Sequence, residues 1–177
     1  FSKGDFNKAS TIFHDLVSKE SEYTSKSKYY YAYIAYVEGN FATAKRYFEE
    51  LLELDLYLEE LPLYICQIYH EQKEYEQLLN FSIPYADSLN KASSEMYKLI
   101  AEAYFHTKDY ANTIYFFKDK YIDGSNTLDD SGYYLLGQAY YRSKEYSLAS
   151  TAFNKIVAAE ASLAQNAYYY LADCYLE

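Results

Sequence analysis

A pattern of small and aromatic residues recurs about every 35 residues, and it constrains the fold more than any other feature of the sequence. The pattern is clearest at Leu136, Gly137, Tyr140, Tyr146, Ala149 and Phe153. Upstream it returns as Ile100, Ala101, Tyr104, Tyr110, Thr113 and Phe117, as Ile65, Cys66, Tyr69, Tyr75 and Leu78, and as Tyr31, Ala32, Ala35, Phe41, Ala44 and Phe48. The second half alone occurs at Phe6, Ala9 and Phe13, and the first half alone at Leu171, Ala172 and Tyr175. A period of this length indicates a stack of similar supersecondary units.

Each unit is predicted to consist of two amphipathic helices, because its apolar residues recur at three- and four-residue spacing. The turn between the two helices is marked by Gly4-Asp5, Gly39-Asn40, Lys108-Asp109 and Lys144-Glu145. Gly137 lies inside a helical pattern, where glycine costs roughly 1 kcal/mol against alanine, so we expect it to allow a close helix contact. The repeat as a whole predicts about ten antiparallel helices of roughly 12 to 16 residues and no sheet.

The small and aromatic positions, in this order and at this period, resemble the tetratricopeptide (TPR) repeat. The resemblance covers nearly the whole chain: a half-repeat at 1–22, repeats at 23–57, 58–91, 92–127 and 128–161, and a half-repeat at 162–177. It implies an all-α fold, a right-handed solenoid of antiparallel helix pairs that forms a single array. Tyrosine replaces the family's usual tryptophan in the later units, and the proline usual at the end of a unit is missing. The third unit departs most, with Ser82 at the aromatic position and Pro84 predicted to kink its second helix near Asn80.

Composition excludes several classes of partner. The formal charge is −10, and this negative field opposes binding to nucleic acid or to an anionic membrane surface. The longest apolar run, residues 29–37, is about half of the ~20 residues that a membrane helix needs, so no insertion is expected. Cys66 and Cys174 lie among apolar helical positions and are predicted to be buried free thiols. The sequence does not decide between cytoplasm and periplasm.

We find no pattern that predicts catalysis or a cofactor. The nucleophile elbow and the glycine-rich phosphate loop are both missing. His70 and His106 fall near the ends of first helices with Glu102 close by, which favours polar contacts at a groove edge over a metal site. Carboxylate pairs such as Glu49-Glu50 and Glu59-Glu60 are interpreted as an acidic helix face in solvent. The chain is therefore predicted not to be an enzyme.

The family resemblance implies that the first helices of the units line a concave binding surface. Residues on the matching positions of this sequence are Tyr29, Tyr33, Tyr36, Gln67, His70, Lys98, Phe105, Tyr134, Gln138, Tyr141, Arg142 and Tyr169. We expect the tyrosines of this set to face solvent, whereas Tyr75, Tyr104, Tyr110, Tyr140 and Tyr146 occupy framework positions. An alternative is that the long aromatic side chains simply pack along one another. Lys98 and Arg142 are candidate anchors for an acidic group, and the carboxylate clamp of some relatives is absent.

These features predict a non-catalytic scaffold that holds a peptide or helical segment of another protein in a tyrosine-lined groove. One rival is a module whose tyrosines stack on carbohydrate or another small ligand, which predicts a compact pocket. A second rival is a structural segment that self-associates through its ends. The chain begins at Phe1 with half a unit and stops within another, so we expect an internal segment of a longer array. The end residues expected to be less covered are Ile12, Phe13 and Leu16, and Leu171, Ala172 and Tyr175.

Overall fold

The computed structural model of the protein describes residues 6–17, 19, 23–89, 92–122, 127–156 and 161–176, and these residues form helices and turns without a strand. The predicted turn at Gly4-Asp5 lies outside the described residues. The helices are α1 (Phe6–Val17), α2 (Thr24–Val37), α3 (Phe41–Leu52), α4 (Leu61–Glu71), α5 (Tyr75–Leu89), α6 (Ser94–His106), α7 (Tyr110–Tyr115), α8 (Asp130–Arg142), α9 (Tyr146–Phe153) and α10 (Ala161–Cys174). The all-α fold class and the number of helices predicted from the repeat are confirmed.

Two helices are shorter than predicted. Helix α7 has 6 residues and continues as a π-helical segment, Phe116–Tyr121. Helix α9 has 8 residues and ends in a 3-10 turn, Asn154–Ile156. The expected length of roughly 12 to 16 residues is therefore wrong for these second helices, because their last turns are π-helical or 3-10 instead of α-helical. The π-helical turn begins where two consecutive rings, Phe116 and Phe117, are both buried.

The chain divides into two compact units, Phe1–Ile68 and Tyr69–Glu177, called unit 1 and unit 2 below. The division falls inside α4. Fully buried side chains of unit 1 include Phe48, Leu51, Leu61 and Ile65, and those of unit 2 include Leu78, Ile100, Phe117, Phe153 and Ile156. Six of these residues lie at positions of the predicted repeat pattern, namely Phe48, Ile65, Leu78, Ile100, Phe117 and Phe153. The single array and the repeat boundaries given above stay predictions.

Glycine at position 137 is required by close packing, as predicted. An added Cβ would lie 2.7 Å from Cε1 and 2.8 Å from Cδ1 of Phe153, distances that real Cβ atoms do not reach. The equivalent positions Ala32, Cys66 and Ala101 are all fully buried. Small residues at this position therefore allow the second helix of the same repeat to pack closely.

Four turns between first and second helices share one hydrogen-bonded geometry. In the turn after α8, Lys144 N–H donates to Tyr141 O at 3.0 Å and Glu145 N–H donates to Tyr140 O at 2.9 Å. Turns with the same pattern follow α2, α4 and α6, with the left-handed residue at Gly39, Lys73 and Lys108 and positive φ in all four. This is the Schellman motif, which satisfies the last carbonyls of a helix.

Four helices in the described part of the chain begin with a side-chain cap. Asn40 accepts a hydrogen bond from Thr43 N–H, Ser93 from Met96 N–H, Asp109 from Asn112 N–H, and Asp129 from Gly132 N–H. Each cap satisfies an N–H group that the helix itself leaves unpaired.

Pro84 lies inside α5, which runs on to Leu89. The kink near Asn80 stays a prediction. Ser82, at the position where the other units carry phenylalanine, is fully buried, and its hydroxyl finds no hydrogen-bond partner in the described part of the chain. The repeat at 58–91 thus buries a small polar group where the neighbouring repeats bury an aromatic ring.

Cys66 and Cys174 are both buried free cysteines, as predicted. Burial raises the pKa of the Cys66 thiol to about 12, so this side chain stays protonated and unreactive near neutral pH. Within the described ranges, no helix is long and apolar enough to cross a membrane.

Candidate binding surface

All twelve residues of the predicted groove lie on first helices. Helix α2 carries Tyr29, Tyr33 and Tyr36, α4 carries Gln67 and His70, α6 carries Lys98 and Phe105, α8 carries Tyr134, Gln138, Tyr141 and Arg142, and α10 carries Tyr169. Ten of them are half-buried, while Arg142 and Tyr169 are exposed, Tyr169 to 71%. The expectation that Tyr29, Tyr33, Tyr134 and Tyr141 face solvent is therefore wrong. Contacts between neighbouring first helices cover them.

Within unit 1, hydrogen bonds connect residues of α2 to residues at or just before α4. The Tyr29 hydroxyl donates to Glu60 Oε2 at 3.0 Å, and the Tyr36 hydroxyl donates to Gln67 Oε1 at 2.9 Å. Both pairs are 31 residues apart. Because the repeat is about 35 residues, each donor meets a side chain about one helical turn before its own equivalent in the next repeat.

Within unit 2, polar contacts of the same kind connect α4, α6, α8 and α10. His70 Nε2 lies 2.8 Å from Glu102 Oε2, and Lys98 Nζ lies 2.8 Å from Asp129 Oδ2. Further along, the Gln138 amide donates to the Tyr170 oxygen at 3.3 Å, and the Tyr141 hydroxyl bonds to Asp173 Oδ2. These pairs and the two of unit 1 are called the first-helix bonds below.

Aromatic contacts also cover the groove tyrosines. In unit 1, Tyr29 stacks on Tyr57 with centroids 4.6 Å apart, and Tyr64 lies 5.8 Å from Tyr33 and 5.3 Å from Tyr36.

In unit 2, Tyr170 lies 6.3 Å from Tyr134 and 5.1 Å from Tyr141, and it stacks on the buried ring of Phe153 at 5.3 Å. The alternative that the long aromatic side chains pack along one another is thus correct for these pairs in both units. Their rings are held in place and only part of each is accessible.

The phenol groups of Tyr29, Tyr134 and Tyr141 stay protonated over the physiological range. Burial, followed by the hydrogen bond to Glu60, raises the pKa of Tyr29. The hydrogen bond to Asp173 raises the pKa of Tyr141 to about 12. Burial likewise raises the pKa of Tyr134. These hydroxyls therefore act as hydrogen-bond donors rather than as bases.

The two histidines near the ends of α4 and α6 have different environments. The hydrogen bond to Glu102 raises the pKa of His70. His106 stacks on Tyr75 with centroids 4.2 Å apart and an interplanar angle of 9°, and desolvation lowers its pKa. His70 is a polar contact as predicted, whereas His106 makes an aromatic one. The described residues contain no group of three or more side chains placed to hold a metal ion.

Two charge predictions need correction. Lys98 is not free to anchor an acidic ligand, because its ammonium group already pairs with Asp129. The carboxylates were expected to form a plain solvated face, but Glu50 pairs with Lys28 at 2.7 Å and Glu60 accepts the bond from Tyr29. Arg142 is exposed and stays a candidate anchor.

Sequence reasoning missed most partners of the groove residues, namely Tyr57, Glu60, Tyr64, Asp129, Tyr170 and Asp173. A signal for them exists. Donors at groove positions are followed 31 or 32 residues later by a carboxylate, an amide or a tyrosine. Searching at the repeat length itself overlooks this, because the helices are staggered.

Among the described residues, two shallow pockets adjoin this surface. The pocket in unit 1 has a volume of 250 Å³ and is lined by Lys26, Tyr29, Tyr30, Tyr57 and Glu60. The pocket in unit 2 has a volume of 320 Å³ and is lined by Asp129, Asp130, Ser131 and Leu163. The first combines aromatic walls with two charged groups, and the second lies at the start of α8.

The end residues are covered only in part as predicted. Ile12, Ala172 and Tyr175 are exposed. Phe13 and Leu16 are half-buried, since α1 packs against α2 and Phe13 stacks on Tyr30 at 5.3 Å. Leu171 is buried, so the expectation that it is poorly covered is wrong.

No protein-family model and no curated protein matches the sequence. Among solved structures, the chain is similar to the C-terminal part of a TPR repeat-containing protein from Cytophaga hutchinsonii, with a TM-score of 0.68 and 18% identity over 96% of this chain. The chain spans 65% of that structure. It is also similar to the MamA protein, with a TM-score of 0.64, 18% identity, and coverage of 95% of this chain and 91% of that one. At this identity the likeness concerns the fold, and the predicted TPR-like helical repeat is confirmed at that level.

Proposed function

We propose that this chain, whose fold is that of TPR-like helical-repeat proteins, is a non-catalytic scaffold that binds a segment of a partner protein through the tyrosine-bearing faces of its first helices. The segment is an extended peptide or a helix. Each compact unit offers such a face, formed by α2 and α4 in unit 1 and by α6, α8 and α10 in unit 2. Recognition rests on shape and on contact with aromatic rings.

The observation that carries the proposal is the pre-organisation of these faces. The first-helix bonds hold Tyr29, Tyr36 and Tyr141 in one orientation, while part of each ring remains accessible. Side chains that are already ordered lose little conformational entropy on binding. Tyrosine also presents an apolar face with a polar tip, the combination found at binding hot spots.

A protein segment fits this surface better than a small ligand does. Drug-sized ligands usually occupy clefts of about 300 to 1,000 Å³ with converging polar groups. The tyrosine-lined pocket of unit 1 has 250 Å³, and two of its rings already stack on each other. A partner that spreads over several first helices uses the partly exposed rings without needing a deep cavity.

Photo-crosslinking tests this proposal in the intact protein. A photoreactive phenylalanine at position 169 on α10, or at position 33 on α2, should capture the partner, because both positions lie on the proposed faces. The same probe at position 148, an exposed site on the second helix α9, is the control. Mass spectrometry should find a peptide segment of a partner protein attached at each of the first two positions. Equal capture at position 148, or capture of glycans instead of protein, contradicts the proposal.

Self-association through the ends is a second candidate, favoured by the exposed apolar side chains Ile12, Tyr175 and Leu176. Light scattering across protein concentration tests it. Mass should rise with concentration in the original chain and stay constant in an Ile12→Lys, Tyr175→Lys variant. A strictly monomeric original chain contradicts self-association and leaves the peptide-binding proposal untouched.

A further inference from the structure

We infer that the tyrosine-lined pocket of unit 1 receives a lysine or arginine side chain, so that the partner segment it binds is basic. The inference rests on the proposed function, since it names the chemistry of the segment that the scaffold would hold. It is carried by the pocket lined by Lys26, Tyr29, Tyr30, Tyr57 and Glu60.

Three rings form the walls of this pocket. Tyr29 stacks on Tyr57 at 4.6 Å with an interplanar angle of 26°, and Tyr30 meets Tyr29 edge-on at 5.5 Å and 80°. Tyr57 adopts φ +55°, a left-handed conformation that non-glycine residues rarely take. The faces of such rings attract cations through their quadrupoles, most strongly the guanidinium of arginine.

A carboxylate lies at the same place. Glu60 Oε2 accepts the hydrogen bond from the Tyr29 hydroxyl at 3.0 Å. An ionised carboxylate has lone pairs for about four hydrogen bonds, so this contact leaves capacity for a cationic donor. A guanidinium or ammonium group in the pocket would therefore meet a negative charge together with the ring faces.

The surrounding charge favours the same occupant. The connection between α3 and α4 carries Glu53, Asp55, Glu59 and Glu60, all exposed, with no basic residue between Glu53 and Glu60. The whole chain has a formal charge of −10, so a basic segment is attracted from a distance and an acidic one is repelled. Lys26 also lines the pocket and carries a positive charge. Its exposed ammonium group is expected to weaken the binding of a cation.

Matched peptides test the inference on the full chain. The probe is a short Gly/Ser peptide with two arginines, and its control replaces both with citrulline, which has nearly the same shape without charge. Fluorescence anisotropy at low salt should show that the arginine peptide binds roughly three- to tenfold more tightly, the sum of an exposed cation–π contact and an exposed ion pair. An acidic peptide of equal length should not bind.

Variants locate the effect in the pocket. Glu60→Gln should remove most of the preference for arginine, whereas Glu59→Gln, which changes the net charge equally at an adjacent residue outside the pocket lining, should leave most of it. Tyr57→Gly removes one ring while it suits the positive φ, so it should weaken the arginine peptide without unfolding the protein. Lys26→Gln should strengthen binding.

Two results overturn the inference. Equal affinity for the arginine and citrulline peptides excludes a cation site. If Glu60→Gln and Glu59→Gln lose the preference for arginine equally, that preference comes from the overall negative charge of the chain and not from the pocket. If a partner is still captured at position 169, either result leaves the proposed scaffold function standing. Failure of that capture would count against the scaffold function instead.

Discussion

Gly137 lies so close to the ring of Phe153 that a methyl group in its place would overlap with three ring atoms, at 2.7 to 3.0 Å. Phe153 is fully buried and also stacks on Tyr170, so its ring cannot move aside without disturbing the contact between α9 and α10. At the scale of single residues, the stability of this chain thus depends on the size of each side chain at a few helix contacts. It also depends on pH through the pair formed by His70 and Glu102.

Gly137→Ala should destabilise the protein despite the better helix propensity of alanine. Overpacking costs about 1 to 3 kcal/mol, while alanine returns roughly 1 kcal/mol in a helix. Urea unfolding should therefore give a free energy of unfolding lower by up to about 2 kcal/mol. In the Phe153→Leu background the same change should be neutral or stabilising, because the clash is gone. A stabilised Gly137→Ala single variant would contradict the packing described here.

The stabilisation from the His70–Glu102 contact should decrease as pH rises. Glu102 raises the pKa of His70 above its unfolded value of about 6.5, so the pair contributes fully below that pH and loses its contribution as pH rises through the folded pKa. Urea unfolding of the original chain and of Glu102→Gln should differ most near pH 5.5 and least near pH 8.5, by less than about 1 kcal/mol because water screens the half-buried pair.

Glu71→Gln is the matched control for the pH experiment, since it removes a nearby charge without the hydrogen bond. It should show little pH-dependent difference. Desolvation lowers the pKa of His106 and Glu102 partly offsets this, so loss of Glu102 lowers the pKa of both histidines and changes stability in the same direction. A difference that grows with pH would contradict the assigned sign.

At the scale of elements, the helix pairs are joined by four turns of one geometry, yet three of them place lysine where the fourth has glycine. Gly39 has φ +77°, and Lys73, Lys108 and Lys144 have φ +59°, +65° and +62°. A left-handed conformation costs a residue with a Cβ roughly 1 kcal/mol more than glycine. The chain accepts this cost three times, and the capping hydrogen bonds of the Schellman motif offset it.

Lys144→Gly should raise the free energy of unfolding by up to about 1 kcal/mol, because glycine adopts this φ without strain. Lys144→Ala is the control and should be nearly neutral, since it keeps the Cβ. Gly39→Ala should lower the free energy of unfolding by about 1 kcal/mol through the backbone alone, as its added Cβ would meet nothing within 4 Å. Thermal unfolding of the three variants measures these changes, and a destabilising Lys144→Gly would be inconsistent with the turn geometry.

Sequence periodicity was sufficient to predict the helices and the small-residue contact at Gly137, because these depend on neighbours within one repeat. Apart from the contact between His70 and Glu102, it did not predict the first-helix bonds. Those depend on the stagger between successive first helices, so that Tyr36 meets Gln67 rather than His70, its equivalent in the next repeat.

The shortened helices α7 and α9 were also missed. Their apolar pattern continues through Phe117 and Ile156, and periodicity alone does not distinguish an α-helical turn from a π-helical or 3-10 turn. For the candidate site, the positions on the helices were predictable but their half-burial was not. Burial there is decided by partners about 31 residues away, such as Glu60 for Tyr29.

At the scale of the whole molecule, tyrosines on first helices recur in both compact units. Both compact units place tyrosines on first helices and hold them with bonds to the following first helix. Among the framework tyrosines, Tyr140 is buried but Tyr104 is only half-buried. The framework tyrosines therefore differ less in exposure from the groove tyrosines than the sequence suggested. Position on the helix, rather than exposure, is therefore what should separate binding residues from framework residues.

Helix α10 offers the most direct test, because it carries two adjacent exposed tyrosines. Tyr169, 71% exposed, lies at a proposed binding position, and Tyr168, 53% exposed, lies beside it but outside the proposed binding set. Isothermal titration of the photo-crosslinked partner segment into Tyr169→Ala should show a Kd raised roughly tenfold or more, as for a hot-spot aromatic, while Tyr168→Ala should bind like the original chain. Equal effects of the two substitutions, or a larger effect of Tyr168→Ala, would contradict the central claim that the tyrosine face of the first helices is the binding surface.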